Sequence, residues 1–303
     1  MAYDWLSDPD DERHIAALRD RVGKDAARVL IFLGAGLSFG VGRYLGRASF
    51  ERPQPYDDDR FPSWPDLIER MKRRVLADTE DPHEATAVES FFGHNDYLDC
   101  AQLFRATVGR NEYHAFLESQ FGTSAEDEER LTASHEALVR LPVRELFTTN
   151  YDQLIELAFA SRGETLVVST SSDEFKRHHP DRPEHHLIKV HGSIETLDRI
   201  VLTREDYAES RRARAEMFEH LMEEVRYSSF LFVGFSLTDP NFNIIRDDAR
   251  VVMGENMPSS YLVQQRPNPV MERYLASLQV ETIALESWNW MPALLDAINP
   301  ASG

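Results

Sequence analysis

Four unbroken apolar runs punctuate the chain: Arg28–Leu33, Arg144–Thr148, His186–Val190 and Ser229–Val233. Continuous rather than alternating apolar residues are the mark of parallel strands buried on both faces. Two further runs, Ser260–Val263 and Val280–Ala284, extend the same sheet toward the C-terminus. Between these runs apolar residues recur every three or four positions, predicting helices over Gln153–Arg162, Arg204–Tyr227, Asn241–Gly254 and Pro269–Ser277. Strands alternating with helices predict an α/β fold, a Rossmann-like, doubly wound and mostly parallel sheet.

The stretch from about Trp64 to Leu141 follows a different pattern. It reads as helices over Trp64–Leu76, Glu84–Thr107, Glu112–Phe121 and Glu128–Leu141, without a strand. Strand patterns flank it on both sides, so residues 64–141 are expected to be a helical insertion within one domain spanning 1–303. Arg47–Arg60, with Pro53, Pro55 and Asp57–Asp59, reads as a surface loop. So does Asp173–His185, with Pro180 and Pro183.

Composition narrows the classes of function. Of 303 residues, 42% are hydrophobic and 28% charged, ordinary globular usage that excludes disorder. Lys and Arg number 33 against 52 Asp and Glu, a net charge of −19 that repels a phosphate backbone and argues against nucleic acid as a partner. Cys100 is the sole cysteine, which excludes an intramolecular disulfide and a multi-cysteine zinc site. The acidic opening MAYDWLSDPDDERH has no apolar leader segment, and no apolar run approaches the roughly 18 residues of a membrane span. A cytoplasmic chain with no membrane attachment is the expectation.

Candidate chemistry gathers where strands end. Leu33-Gly-Ala-Gly-Leu-Ser38 follows the first strand, where glycines let backbone amides approach a diphosphate, or simply form a tight turn. The third glycine, Gly40, falls one place late for the dinucleotide fingerprint. Thr148-Thr-Asn-Tyr-Asp152 ends the second strand; taken alone, Asn150 and Asp152 read as helix caps, with Asn150 and Gln153 resembling a capping box. In Lys189-Val-His-Gly-Ser193 the histidine suits a general base near neutral pH, or a structural imidazole bonded to a backbone carbonyl. Val233-Gly-Phe-Ser-Leu-Thr-Asp-Pro-Asn241 suits a ribose or phosphate contact, or a cap by Thr238 or Asp239 with Pro240 in the first turn. Four polar turns at the ends of four strands of one sheet describe a nucleotide cleft.

Two charged tracts have plainer readings. His178, His179, His185 and His186 lie in a Pro-rich segment and read as solvated loop rather than zinc ligands. Arg211, Arg212 and Arg214, beside Glu209, Glu216 and Glu219, read as a salt-bridged solvent face or a partner contact.

In order, GAGLS, TTNYD, KVHGS and GFSLTDPN resemble the sirtuin-like family, particularly its bacterial NAD-hydrolase branch of antiphage effectors. Phe61-Pro-Ser-Trp-Pro-Asp-Leu67 and Leu202-Thr-Arg-Glu-Asp-Tyr207 are similar to that branch too, and the likeness runs from about Ile31 to Asn241. The resemblance implies that Gly34, Ala35, Gly36 and Ser38 hold a pyrophosphate and that Asn150 orients water or the nicotinamide ribose. It also implies Asp152 near the carboxamide, His191 as general base, and Gly234 with Ser236 on the adenosine side. The link Phe39–Arg60 is longer than the family pattern, which leaves Arg43 as the residue considered for the nicotinamide pocket. Deacylating sirtuins carry a four-cysteine zinc module that Cys100 alone cannot build. The implied activity is therefore metal-independent hydrolysis of NAD to ADP-ribose and nicotinamide, triggered by homo-oligomerisation or a separately encoded partner. A silent NAD or ADP-ribose sensor, and a zinc-free deacylase or ADP-ribosyltransferase, are the alternatives.

Overall fold

The computed structural model describes residues 3–38, 61–178, 184–265 and 267–301. Seven strands form one sheet: β1 (Val29–Leu33), β2 (Glu145–Thr148), β3 (Leu166–Ser169), β4 (His185–Lys189), β5 (Ser229–Val233), β6 (Ser260–Gln265) and β7 (Val280–Leu285). Their order is β3-β4-β2-β1-β5-β6-β7, and every neighbouring pair is parallel. The fold is thus Rossmann-like, as the apolar runs predict. From β1 the chain passes to its neighbour β2, out to the edge strand β3 and back to β4 between them, then crosses to β5 on the other side of β1. That reversal opens a crevice at the carboxyl ends of the strands, where open α/β sheets bind ligands.

The helices are α1 (Glu12–Lys24), α2 (Ala35–Ser38), α3 (Trp64–Ala77), α4 (Pro82–His94), α5 (Tyr97–Val108), α6 (Arg110–Phe121), α7 (Ala133–Val139), α8 (Leu154–Ser161), α9 (Ser172–Arg177), α10 (Arg204–Ala213), α11 (Ala215–Tyr227), α12 (Pro240–Met253), α13 (Pro269–Ala276) and α14 (Met291–Ile298). Alternate residues of each strand feed opposite faces. Ile31, Leu33, Leu146 and Leu231 pack with apolar residues of α1, α7, α8 and α14. Leu30, Phe32, Phe147 and Phe232 pack with those of α11, α12 and α13. A third apolar cluster joins α3, α5 and α6 to Tyr151, Ile200 and Leu202 beside the strand ends.

Several boundaries differ from the pattern-based expectation. The single helix expected over Glu84–Thr107 is two, α4 and α5. Asn95 leaves helical geometry at ψ 162°, and Asp96 caps α5 by accepting from the Asp99 amide at 3.0 Å. Glu128–Leu141 divides into a 3₁₀ turn (Ala125–Arg130) and α7. The helix expected over Arg204–Tyr227 breaks at Arg214 (φ −124°, ψ 36°). That arginine is buried, not part of a solvent face: its Nε donates to Thr170 O at 3.0 Å and its guanidinium also reaches Arg199 O. Arg211 and Arg212 do face solvent.

The segment Asp173–His185, expected as loop, contains most of α9. His185 and His186 belong to β4, and His186 is buried against Ser169 Oγ at 2.8 Å rather than solvated. Strand β3 and helices α1 and α14 are additions to the elements read from the pattern. His179, Arg43 and the Phe39–Arg60 link lie outside the described residues.

Candidate active site

The crevice is built by turns that depend on one another. After β1, Gly34 N donates to Val233 O at 3.0 Å and Gly36 N to Gly234 O at 2.9 Å, so the β1–α2 turn lies directly on the β5–α12 turn. A Cβ on Gly34 would stand 2.5 Å from Gly234 O, and one on Gly36 2.6 Å from Gly234 Cα. Gly234 itself adopts φ +64°, a conformation costly for side-chain-bearing residues. Glycine is required here for backbone contact between two strand ends, which accords with the tight turn expected of this motif beside ligand approach.

Asn150, placed by the end of β2, is turned toward this junction. Its Nδ2 donates to Gly34 O at 3.2 Å and to Ser38 Oγ at 2.9 Å. It does not cap α8, whose N-cap is Gln153, so the expected capping box is absent. Asp152 Oδ1 accepts from Leu154 N at 3.1 Å, and the Ser38 hydroxyl also reaches this carboxyl. Burial pushes the Asp152 carboxyl above its ordinary range against the opposing pull of Lys189. Lys189, fully buried at the end of β4, donates to Asp152 O at 2.6 Å and to Glu156 Oε1 at 2.7 Å. It thereby props the Asn150–Asp152 turn from below.

His191 follows β4 and is 2% exposed. Its Nε2 lies 3.1 Å from Asp239 Oδ2, within ion-pair distance though not aligned as a hydrogen bond. Tyr207 of α10 donates to the same Oδ2 at 2.7 Å, and its hydroxyl stands 3.5 Å from His191 Nδ1. Burial raises the Asp239 carboxyl, but His191, the Phe242 amide and the Tyr207 hydroxyl outweigh it and hold the group below its ordinary range. Asp239 also caps α12, accepting from Phe242 N at 2.8 Å, with Pro240 in the first turn. Sequence reading found only the cap. The pairing of Asp239 and Tyr207 with His191 joins segments that are distant in the chain, and no local pattern announces it.

These residues line a cavity of about 440 Å³. Ala35, Gly36, Ser38, Asn150, Asp152 and His191 are on its wall, as are Asp239, Gly234 and Ser236; Gly34 is not. Phe61, just before α3, and Trp64, its first residue, close one side, and Trp64 stacks on Tyr97 with centroids 5.9 Å apart. Past Gly36, Gly234 and Ser236 the cleft continues into a second cavity of about 750 Å³, reaching Leu262–Gln265, Asn268 and Trp288. Both volumes fall in the range of small-molecule sites. An exposed Ser236 hydroxyl, 2.6 Å from Thr238 Oγ1, stands where the two meet.

A two-chambered cleft at the reversal of a parallel sheet, with an asparagine and a carboxylate-paired histidine in one chamber, defines the class as a Rossmann-like α/β protein with a candidate ligand site at its strand ends. Residues 144–283 match the SIR2-like domain family. The chain is 27% identical over 239 residues to the NAD(+) hydrolase ThsA of Enterococcus faecium, covering 78% of this chain and 43% of that protein. To the NAD(+) hydrolase ThsA of Bacillus cereus it is 24% identical over 285 residues, covering 88% and 53%. Defense-associated sirtuin 2 of Bacillus subtilis is 20% identical over 214 residues, covering 69% of this chain and 20% of that one. Together with the fold and the ordered motifs, these matches show that the chain is similar to sirtuin-like proteins. It spans about half the length of the ThsA proteins it matches. Among the described residues, no helix is long and apolar enough to cross a membrane.

Proposed function

We propose that the chain hydrolyses NAD at the nicotinamide–ribose bond, releasing nicotinamide and ADP-ribose, and that it serves as a triggered antiphage effector. The observation that carries this reading is the convergence of Ser38, Asn150, Asp152 and His191 on one cavity joined to a second, larger one. The nicotinamide and its ribose occupy the chamber of Asn150 and His191. The diphosphate crosses at Ala35, Gly36 and Ser38, with Gly34 beneath it, and the adenosine extends past Gly234 and Ser236.

Nicotinamide leaves as a neutral base, so the oxocarbenium-like transition state needs positioning and charge stabilisation more than acid assistance. Asn150 spends Nδ2 on Gly34 O and Ser38 Oγ, which leaves Oδ1 to accept from a ribose hydroxyl or the attacking water. Water forms the new C–O bond as the C–N bond breaks, and His191 takes the proton. Asp239 lies against Nε2 and stabilises the imidazolium, so Nδ1, held only by the 3.5 Å contact with the Tyr207 hydroxyl, is the nitrogen assigned to take the proton. Asp152 faces the carboxamide. The chemistry needs no metal.

Residues 1–303 are taken as one sirtuin-like domain with 64–141 inserted in it, acting in the cytoplasm. An effector that destroys NAD without restraint would harm its own cell, so homo-oligomerisation or a separately encoded partner supplies the trigger. The names of the relatives, NAD(+) hydrolase and defense-associated sirtuin, support the activity and the setting.

Chromatography of NAD incubated with the purified chain and chelator tests the reading. Wild type is expected to yield nicotinamide and ADP-ribose. His191→Ala and Asn150→Ala are expected to lose turnover, with Asn150→Ala still binding NAD. NAD that binds but stays intact, even in phage-infected cells, would mark a sensor. Nicotinamide release only with an added protein acceptor would mark a deacylase or transferase.

A further inference from the structure

At the end of the sheet opposite the cleft, the histidine-rich segment meets an acidic strand start. Glu145 opens β2 and pairs in register with His186 of β4. His220 and Glu224 lie one helical turn apart on α11, which packs across these strands. Glu145 Oε2 accepts from His220 Nε2 at 2.8 Å, and its Oε1 is 3.8 Å from His186 Nδ1. One donor atom each from Glu145, His220 and Glu224 fall within 4.8 Å of one another.

His186 supplies an independent observation. It is 1% exposed, and Ser169 Oγ occupies its Nε2 at 2.8 Å. Its Nδ1, turned toward Glu145, has no hydrogen-bond partner among the described residues. A buried imidazole nitrogen without a partner is costly, and fixing one ring nitrogen so that the other faces a carboxylate is the arrangement that orients metal-ligating histidines. The ring of His220 is held against Phe147 with centroids 6.0 Å apart, so it too is pre-oriented.

We propose that Glu145, His220 and Glu224 bind one divalent transition-metal ion, with His186 Nδ1 completing the donor set. Two imidazole nitrogens and two carboxylates suit zinc or cobalt; calcium and magnesium prefer oxygen alone. Tetrahedral donors about 2.1 Å from zinc stand ~3.4 Å apart, so small side-chain rotations bring Glu145, His220 and Glu224 to that spacing, while His186 Nδ1 already stands 3.8 Å from Glu145 Oε1. The ion displaces the proton shared by Glu145 and His220 and releases it to solvent. Bound there, it clamps α11 to β2 and β4 and takes no part in the cleft.

The test is titration of the chelator-stripped full chain with Co2+, read by visible absorption, equilibrium dialysis and thermal melting. One equivalent is expected to give tetrahedral ligand-field bands that Zn2+ abolishes, and saturation is expected to raise the melting temperature by about 5 °C. His220→Ala and Glu224→Gln should each weaken binding about tenfold or more, while His83→Ala, on the exposed face of α4, should not. A wild type without one-to-one binding overturns the proposal even if a variant fails to fold. Equal loss on His83→Ala overturns it as well, since binding would then be scattered over surface histidines. Neither outcome depends on whether NAD is cleaved.

Discussion

Adding one methyl group at Gly234 tests the idea that the cleft floor is a contact between two backbones. Alanine there meets two penalties. A side chain at φ +64° costs about 1–2 kcal/mol. The new Cβ would also stand 2.5 Å from Leu37 N and 2.8 Å from Gly36 Cα, an overlap with backbone that costs about 1–3 kcal/mol as the turns separate. Gly234→Ala is therefore expected to lose about 3 kcal/mol. Two controls split the sum. Gly163 has φ +70° with nothing within 4 Å of a built Cβ, so Gly163→Ala carries only the conformational part. Gly36 lacks a positive φ but would place its Cβ 2.6 Å from Gly234 Cα, so Gly36→Ala carries only the overlap. Urea unfolding midpoints at unchanged slope measure all three. If Gly234→Ala costs no more than Gly163→Ala, the turns do not bear on one another and the reasoning fails. Because Gly34 O anchors Asn150, the variant should also lose NAD turnover beyond its loss of stability.

Three further outcomes are expected. Asp239→Asn keeps a side chain able to cap α12 but removes the charge beside His191, so kcat should fall roughly 100-fold with KM little changed, and Tyr207→Phe should fall less; a KM effect alone in steady-state kinetics would refute this. Asp11 accepts from Ala284 N at 2.7 Å, and burial raises its carboxyl from 3.8 to about 6. The folded chain therefore holds a proton that the unfolded chain has released, so this group's contribution to stability declines as pH rises from about 4 through about 6 and is level above that. Asp11→Asn should flatten that decline in urea midpoints measured across the window. Burial likewise pushes the Cys100 thiol up to about 11, and the side chain is fully enclosed. A thiol reagent at pH 8 should label one cysteine only after guanidinium unfolding, and rapid native labelling would contradict the packing.

Much of the fold was legible because buried parallel strands must be apolar on both faces, and Val29–Leu33 and Ser229–Val233 are. Strand β3 escaped because Leu166–Ser169 is a half-buried edge that contributes only four residues. Arg214 escaped because a charged residue within a helical pattern reads as solvent-facing. Its burial depends on two carbonyls, from Thr170 and Arg199, that only the folded chain brings to it. The same limit hid the environment of His186, whose partners lie on β2 and β3.

By itself the sequence determined the strand–helix alternation, the four polar turns at strand ends and the residue types they carry, since these follow from local periodicity and turn chemistry. Tertiary structure decided which atoms face one another. It turned Asn150 from a helix cap into a ligand of Gly34 O, gave Asp239 a histidine as well as a helix to cap, and set Gly36 and Gly234 backbone to backbone. Each of these pairings joins residues far apart in sequence. Distance and orientation between such residues come from how strands register and helices pack, and no local pattern encodes them.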